Sequence, residues 1–242
     1  MNRIEGEALV VRAVNVGESD VIATLITEQV GKVSAIARGA RKGSGRLGGA
    51  IEALHTIAVL LEDKGAELTV LKEARIVCAR PQIATNLEAF EAAGVALRWA
   101  RHSFPPRTRE PQGWHVLVEL LDALEGGVAD CRIELARAGL AMLAAVGYAI
   151  ELERCVVCGR ACPTARAACV DPARGGLVCR SCGGASTVLS PQTRLAAQNL
   201  MARPRTDSDP PAAQGPPVTR TQAEAILALV DRAMGAHAGF ER

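Results

Sequence analysis

Two Cys-x-x-Cys pairs, Cys155/Cys158 and Cys179/Cys182, constrain the fold of this 242-residue chain more than any other feature. Twenty residues separate the two pairs, and this spacing is typical of a four-thiolate zinc site. Each pair brings two sulfurs to one side of a tight turn, so that two pairs supply the four corners of the tetrahedron that Zn²⁺ prefers. The sequence therefore predicts a structural zinc module at about residues 152–186, with these four cysteines as ligands.

The alternative interpretations of these cysteines are weaker. Disulfides need an oxidising compartment, and the first residues contain no apolar segment of the kind found in a secretory signal. A redox site needs only one Cys-x-x-Cys pair, and four thiolates leave no open position for the water of a catalytic metal. Cys162 and Cys169 lie between the pairs without paired spacing. We interpret both as additional thiols, although either could substitute for a ligand.

The charge and hydropathy patterns exclude two classes of protein. A formal net charge of +2 excludes a chain that is basic throughout, so any nucleic-acid surface has to be a local patch. The longest uncharged apolar run, residues 138–150, is too short to span a bilayer. No targeting signal is recognisable, and eight cysteines in a reducing compartment indicate metal binding. We expect a cytoplasmic protein without a membrane partner.

The first eighty residues contain five short segments rich in Val, Ile, Leu and Thr, separated by turn sequences. The predicted strands are residues 8–14, 21–27, 32–37, 54–61 and 67–72. Five such strands predict a small closed barrel of the oligonucleotide-binding (OB) type, although the strand count also fits an SH3-like barrel. We assign residues 1–80 to this domain.

A glycine-rich basic connection links the third and fourth predicted strands. Five cations and no acid occur between residues 32 and 46. The cations are Lys32, Arg38, Arg41, Lys42 and Arg46. Glycine makes the segment pliant, so its cations can adapt to phosphates, whereas a merely solvated loop is the alternative. We expect these residues to bind nucleic acid, with a log–log salt slope of roughly −3 to −4 for about five phosphates on a single strand.

The sequence lacks aromatic residues in its first segment and lacks a catalytic motif, and both facts limit the functions that we expect. Residues 1–75 contain no Phe, Trp or Tyr, whereas barrels that hold single strands usually stack bases on aromatic rings. Binding should therefore be electrostatic and independent of sequence. None of the four histidines belongs to a motif with a Ser or Cys nucleophile, so we expect a protein that is not an enzyme.

From residue 86 onward, apolar residues recur every three or four positions, which predicts helices whose apolar stripes form a core. The stripes include Leu87, Phe90, Leu97, Trp114, Leu117, Ile133 and Leu140. We interpret Trp99 and Trp114 as core residues, with a groove-lining position as the alternative. Helix caps are predicted at Asn86, Ser190 and Thr221. Five prolines at about residues 203–218 predict a loop or disordered tether. Residues 81–242 are assigned to a helical domain that carries the zinc module, which makes the fold class α+β multidomain.

In their order and spacing, these elements resemble the RecO family of bacterial DNA repair proteins. The resemblance rests on short motifs spread over most of the chain. They are Gly17-Glu18-Ser19-Asp20, Thr27 followed by Gly31, Ala37-Arg38-Gly39-Ala40-Arg41-Lys42, Leu140 through Gly147-Tyr148, Cys155-x-x-Cys158-Gly159 and Gly175-Gly176-x-x-Cys179-x-x-Cys182. Each motif is weak alone, but their combined order is specific.

The resemblance implies an OB barrel, a helical region, a zinc module and a nucleoid-associated recombination mediator without catalytic turnover. Such a protein binds single- and double-stranded DNA, anneals complementary strands and, with RecR, helps RecA to replace single-strand-binding protein. Family members receive the acidic tail of single-strand-binding protein on the helical region, for which Arg98, Arg132 and Arg137 are candidates by charge alone. A zinc-ribbon DNA-binding adaptor or transcription factor is the main alternative, and a metal-dependent nuclease is a weaker one.

Overall fold

The computed structural model describes residues 2–42, 47, 49–202 and 217–238. The chain forms two compact units, Met1–Gly127 and Val128–Arg242. Most of the predicted proline-rich segment, residues 203–216, and Arg46 lie outside the described residues. The assignment of domains on either side of residue 80 stays a prediction.

Five strands of the first unit close into a barrel. They are β1 (Asn2–Val16), β2 (Asp20–Thr27), β3 (Gly31–Ala37), β4 (Thr56–Asp63) and β5 (Thr69–Cys78). Their order around the barrel is β1-β2-β3-β5-β4, and β1 pairs with β4 to close it. The β3–β5 pair is parallel, whereas the other four pairs are antiparallel. The predicted five-stranded OB-type barrel is therefore confirmed.

Strand β3 shows how the sequence sorts its side chains between the two faces of the barrel. Val33, Ala35 and Ala37 are buried in the interior, whereas Ser34 and Ile36 alternate with them and are half-exposed. A period of two is the geometry of a strand with one buried face. Each fully buried Val, Leu or Ile contributes about 1.5–3 kcal/mol to folding, so this alternation fixes the register of the strand.

Three helices complete the first unit. They are α1 (Pro81–Thr85), α2 (Leu87–Ser103) and α3 (Pro111–Glu125). The Asn86 side chain accepts a hydrogen bond from the Ala89 N–H at 3.2 Å, which confirms the predicted cap of α2. Trp99 and Trp114 are 1% and 5% exposed, so their interpretation as core residues is confirmed.

The first turn of α2 differs from the prediction. Leu87 and Phe90 are 72% and 53% exposed, so their assignment to the core is wrong. The residues buried on α2 are Ala89, Ala92, Ala93, Ala96, Leu97, Trp99 and Ala100. Small side chains allow a close approach between packed elements, and this alanine-rich face is the one that packs. Periodicity alone does not select between two apolar faces of one helix.

Arg80 joins the barrel to α3 within the first unit. Its side chain is 1% exposed, and its Nη1 donates to the Leu54 carbonyl at 2.7 Å and to the Thr56 hydroxyl at 3.1 Å. Its Nε donates to Asp122 Oδ1 at 2.8 Å. A buried cation is tolerated when it is paired and hydrogen-bonded, and this guanidinium meets both conditions.

The segment between α2 and α3 packs against the end of the barrel where β3 begins. The Arg107 N–H donates to the Lys32 carbonyl at 2.9 Å. Gly31 has φ +70°, and a Cβ there would lie 1.8 Å from the Thr108 carbonyl oxygen. Only glycine fits both that backbone conformation and that close approach.

Among its described residues, the second unit contains three α-helices, two short 3₁₀ helices (Pro172–Arg174 and Arg180–Cys182) and a small sheet. The α-helices are α4 (Cys131–Ala145), α5 (Pro191–Met201) and α6 (Arg220–Ala238), and the strands are β6 (Ala168–Asp171), β7 (Gly176–Leu177) and β8 (Thr187–Leu189). The sheet has the order β7-β6-β8 and was not predicted, because its strands have only two to four residues. Short strands give no periodic signal.

One cap prediction in the second unit is confirmed and the other is wrong. The Ser190 hydroxyl accepts from the Thr193 N–H at 3.0 Å, as predicted. The last helix begins at Arg220, so Thr221 lies inside it. Thr219 is the capping residue: its hydroxyl accepts from the Gln222 N–H at 3.3 Å, while Gln222 Oε1 accepts from the Thr219 N–H at 2.8 Å. This reciprocal pair is a capping box.

Candidate functional site

The four cysteines of the two Cys-x-x-Cys pairs come together in the second unit. Their sulfur atoms all lie within 4.8 Å of one another, and Cys158 Sγ is 3.8 Å from Cys179 Sγ. A tetrahedral Zn²⁺ with Zn–S bonds of about 2.3 Å requires sulfurs about 3.8 Å apart. The geometry is compatible with a metal ion, and an all-sulfur donor set favours zinc among the common divalent ions.

Backbone turns hold each pair in place. In the first pair, the Gly159 N–H donates to the Cys155 carbonyl at 2.8 Å, and in the second, the Cys182 N–H donates to the Cys179 carbonyl at 2.9 Å. Gly159 and Gly183 have φ values of +71° and +104°, which side chains other than glycine rarely adopt. The sequence Cys-x-x-Cys-Gly thus encodes a closed turn at both positions.

The strand-like segments around the cysteines tie the two turns together. The Val156 N–H donates to the Leu177 carbonyl at 2.8 Å, and the Leu177 N–H donates to the Glu151 carbonyl at 2.9 Å. A Cβ on Gly176 would lie 2.4 Å from the Glu151 carbonyl oxygen. The glycine pair before the second cysteine pair therefore permits the close approach that brings the sulfurs together.

Cys155 and Cys182, two of the four thiols, have pKa values that are shifted in opposite directions. The backbone N–H of Cys179, which donates to Cys155 Sγ at 3.3 Å, lowers the pKa of Cys155 to about 6, with help from the amides of Cys158 and Val157. Hydrogen bonds with the Cys179 and Cys158 sulfurs raise the pKa of Cys182 to about 12. Backbone N–H donors let Cys155 ionise easily, whereas Cys182 retains its proton because a second thiolate beside the first would be repelled. A divalent cation would relieve that repulsion by replacing the protons.

The two additional cysteines are not members of this group. Neither Cys162 nor Cys169 belongs to the four-sulfur group found among the described residues. Cys162 Sγ approaches the Pro163 carbonyl at 3.8 Å, and the buried Arg194 donates to that same carbonyl at 2.6 Å. The loop that carries Cys162 is thus fixed to α5. The ligand set predicted from the sequence stays a prediction, and the structure brings its four members together.

Two turns meet at the end of the barrel where β3 finishes. Val21 pairs with Ala37, so the turn between β1 and β2, residues 17–19, lies beside the turn at residues 38–42. Asp20 Oδ1 accepts a hydrogen bond from the Gly39 N–H at 2.9 Å, and the Arg41 N–H donates to the Ser19 carbonyl at 3.0 Å. Sequence reasoning noted both segments as motifs but missed their contact.

This basic turn, residues 38–42, presents Arg38, Arg41 and Lys42, all exposed. The neighbouring Asp20 carboxylate accepts a hydrogen bond from the Gly39 N–H, and this bond lowers the pKa of Asp20 most. The hydrogen bond from Ser19 lowers the pKa further, as do the charges of Arg38 and Lys42. Three cations thus face solvent beside Asp20, whose carboxylate is committed to the turn, and beside the exposed Glu18 of the β1–β2 turn. The predicted residue Arg46 lies outside the described residues.

Lys32 lies away from the basic turn. Six positions along β3 separate it from Arg38, which is about 20 Å at ~3.3 Å per residue. Its Nζ donates to the Arg101 carbonyl at 2.5 Å. The Arg101 carbonyl lies in the last turn of α2. The residue four positions later, whose N–H would normally bond to it, is Pro105, which has no N–H. Burial lowers the pKa of Lys32, and the charge of Arg101 lowers it further.

The three arginines proposed by charge alone have different environments. Arg98 is exposed on α2, and Arg132 forms an ion pair with Glu224. Arg137 is buried, and its Nε donates to Glu134 Oε2 at 3.0 Å. Arg137 therefore offers little surface to a partner. None of the helices that the structure describes is long and apolar enough to cross a membrane.

Comparison with known proteins gives consistent similarities along the chain. The family model "Recombination protein O N terminal" matches residues 1–80, and "Recombination protein O C terminal" matches residues 84–240. The DNA repair protein RecO of Anaeromyxobacter sp. (strain Fw109-5) is 33% identical over 237 residues, which covers 96% of this chain and 92% of that relative. The DNA repair protein RecO of Geobacter sulfurreducens is 34% identical over 194 residues, which covers 80% of this chain and 78% of that relative.

Proposed function

Because the chain belongs to the RecO family, we propose that it is a DNA repair protein that acts as a recombination mediator without catalytic turnover. It binds single- and double-stranded DNA and anneals complementary strands. Together with RecR it helps RecA to replace single-strand-binding protein on DNA. The observation that carries this proposal is the hydrogen-bonded pair of turns that presents Arg38, Arg41 and Lys42 to solvent.

The mechanism is charge neutralisation. Two DNA strands repel one another through their phosphates, and each cation that binds a phosphate releases a counterion and reduces that repulsion. The arginines contribute bidentate contacts to phosphate, and the lysine contributes a point charge. Anchoring of the turn by Asp20 lowers the conformational entropy lost when the cations engage a strand.

The outer face of the barrel supports contacts that do not depend on base identity. Ser34 and Ile36 lie on this face of β3, and Thr24 and Ile22 pair with them on β2. OB barrels use the face of these two strands to bind oligonucleotides. Aliphatic and hydroxyl side chains can contact sugars and phosphates, which carry no information on base identity. We therefore propose that binding is insensitive to sequence.

The zinc ion is proposed as a structural cofactor held by Cys155, Cys158, Cys179 and Cys182. It fits the observed sulfur spacing, and it would displace the thiol protons and relieve the repulsion between neighbouring thiolates. When bound, it fixes the two Cys-x-x-Cys turns and the β6–β8 sheet as one module. Four thiolates leave no open coordination position, so no hydrolytic step is assigned to it.

Strand annealing tests the proposal directly. The variant Arg38→Ala/Arg41→Ala/Lys42→Ala should anneal complementary oligonucleotides more slowly, and its log–log salt slope should shrink by about 2, since three contacts contribute ~0.7 each on a single strand. The matched control is Arg3→Ala/Lys64→Ala/Arg75→Ala, which removes three exposed cations of the same unit and should behave like the unaltered protein. Equal annealing by both triple variants would remove the turn from the mechanism.

The mediator role needs its own assay. RecA assembly on gapped DNA coated with single-strand-binding protein should be accelerated by this protein together with RecR. A sequence-specific adaptor or transcription factor would instead prefer one duplex sequence. A binding survey over unrelated duplexes separates the two, because a mediator should bind all of them within a few-fold of one another.

A further inference from the structure

A second group of cations lies on helix α2, apart from the basic turn. Arg98, Arg101 and His102 have the spacing i, i+3 and i+4, so they share one face of the helix. Arg12 on β1 lies near them, and the Lys32 ammonium contacts the Arg101 carbonyl at 2.5 Å. We propose that Arg12, Arg98 and Arg101 form a second phosphate-binding surface, which extends the bound nucleic acid from the barrel onto α2. This proposal rests on the DNA binding proposed above.

The backbone of β1 explains why Arg12 faces outward. The register with β2 shifts between Val10 and Arg12, and the extra residue, Val11, is 5% exposed. Val10 and Val11 are therefore consecutive buried residues, and Arg12 emerges on the outer face. A bulge of this kind redirects a side chain. Helix α2 contacts β1, and the charge of Arg12 acts on Arg101, which lies near the C-terminal end of α2.

The electrostatics of this surface, formed by Arg12, Arg98 and Arg101 with Lys32 and His102 beside them, indicate an anionic partner. Burial lowers the pKa of Arg101, and the charges of Arg12 and Arg98 lower it further. Burial also lowers the pKa of His102, as do the charges of Arg101, Lys32, Arg98 and Arg12. All the charged groups that shift these two residues are cations. Like charges at helical spacing destabilise a helix, and phosphates would remove that repulsion.

His102 is the uncharged member of the group. Arg101 Nη2 lies 3.1 Å from His102 Nε2, and a guanidinium can only donate a hydrogen bond. His102 Nε2 is therefore the acceptor, and the ring is neutral in this arrangement. Its protonation state is a local reporter of any anion that arrives beside Arg101.

A favourable interaction with the helix dipole explains only some of the cations on this surface. Cations near the C-terminus of a helix interact favourably with its dipole, but the effect falls off beyond the last turn. Arg98 lies five positions before Ser103, the last residue of α2, and Arg12 belongs to another element. Lys32 already satisfies the Arg101 carbonyl. A ligand accounts for the position of Arg12, which the dipole does not.

Nucleic acid fits the spacing of the two basic surfaces better than an acidic peptide does. Lys32, Ser34, Ile36 and Arg38 alternate along β3 and lie on its outer face, so one face connects the helix surface to the basic turn. The separation of about 20 Å corresponds to roughly six steps of 3.4 Å along a nucleic-acid strand. A continuous row of phosphates can engage both ends at once.

The length of the bound strand provides the test. The variant Arg12→Ala/Arg98→Ala/Arg101→Ala should lose about tenfold in affinity for an oligothymidylate of about 20 nucleotides, and its salt slope should shrink by about 2. Affinity for an oligomer of about 4 nucleotides, which at ~3.4 Å per nucleotide is too short to engage both surfaces at once, should change at most about twofold, because the basic turn still binds it. The lysine triple Arg12→Lys/Arg98→Lys/Arg101→Lys should retain most of the long-strand affinity. Lys32 is left unaltered because it caps α2.

The outcomes separate this proposal from the proposed function. If the alanine triple binds the long strand normally while the basic-turn triple does not, the second surface is refuted and the DNA-binding function stands. If neither triple affects DNA binding, the proposed function itself fails. Loss of binding to a polyglutamate peptide with unchanged DNA binding would assign the surface to an acidic protein partner and overturn the proposal.

NMR titration of His102 gives an independent readout that a purely structural role would not produce. A phosphate beside the ring favours its charged form, so the pKa of His102 should rise when the long oligothymidylate is bound. His115, exposed on α3, serves as the internal reference. An unchanged His102 titration at saturating DNA would contradict the proposal.

Discussion

Asp20 Oδ1 accepts a hydrogen bond from the Gly39 N–H at 2.9 Å. This bond joins the start of β2 to the turn that follows β3, although nineteen positions separate the two residues. It aligns the basic turn beside the β1–β2 turn, where Arg41 also donates to the Ser19 carbonyl. A carboxylate thus orders a surface whose proposed role is to bind anions.

Replacement of Asp20 by alanine should weaken DNA binding even though it removes a negative charge. Asp20→Ala deletes the acceptor and loosens residues 38–42, and we expect affinity for single strands to fall about fivefold. Asp20→Asn keeps an acceptor for the Gly39 N–H and removes the charge, so it should bind at least as well as the unaltered protein. Fluorescence anisotropy with one oligonucleotide compares the three. Stronger binding by the alanine variant would show that the charge matters more than the anchor.

The same carboxylate defines a pH limit for the turn. The hydrogen bond from Gly39 holds the pKa of Asp20 below its usual value. The stabilisation is therefore fully present above the unfolded-state pKa of about 3.9 and is lost as pH falls through the lower folded-state pKa. The chemical shift of the Gly39 amide proton should titrate in that acidic range and stay constant above it. In Asp20→Asn the titration should disappear.

Gly31 should tolerate no side chain. Gly31→Ala should lower the free energy of unfolding of the first unit by about 3 kcal/mol or more, because its Cβ would lie 1.8 Å from the Thr108 carbonyl oxygen. Gly17 has a similar φ of +59°, but a Cβ added there would meet no atom within 4 Å, so Gly17→Ala should cost only about 1–2 kcal/mol of backbone strain. Urea unfolding of both variants isolates the steric component. Equal losses would show that the segment at Thr108 moves away freely.

Two helical glycines should respond to alanine in opposite directions. In α3, a Cβ on Gly113 would lie 2.4 Å from Cζ of the buried Phe104 ring, so Gly113→Ala should destabilise the first unit by about 1–3 kcal/mol. Gly94 in α2 has open space around it, and Gly94→Ala should stabilise by about 0.5–1 kcal/mol through helix propensity. Thermal unfolding measures both. A destabilising Gly94→Ala would indicate that this side of α2 packs against something.

Loss of one cysteine ligand should destabilise the second unit. Cys158→Ser should reduce bound zinc well below one equivalent and lower the Tm by about 10 °C or more, since the binding energy of a structural zinc is largely folding energy. Cys162→Ser is the matched control, because its sulfur lies outside the four-sulfur group, and it should retain a full equivalent. Metal analysis of protein purified without chelator checks both. Full zinc in Cys158→Ser would mean that another thiol replaces the ligand.

Several features of this protein follow from local sequence. The Cys-x-x-Cys-Gly turns, the five strands and the caps at Asn86 and Ser190 each depend on residues within a few positions of one another. For that reason, their prediction succeeded. Trp99 and Trp114 were recognised as core because their size leaves few alternatives in a helical stripe. The cap at Thr221 was wrong by two positions, because Thr219 forms the reciprocal pair with Gln222.

Other features were decided by contacts between distant segments. The sequence placed Lys32 with the basic turn, but strand length carries it to the opposite end of β3, where it caps α2. The exposure of Leu87 and Phe90 depends on which face of α2 meets its neighbours. Local residue patterns determine turns, strands and helices, whereas register and packing between distant elements determine which cations share a surface. For this reason the basic turn was predicted from sequence, and its anchor at Asp20 and the second cation group on α2 emerged only from the tertiary structure.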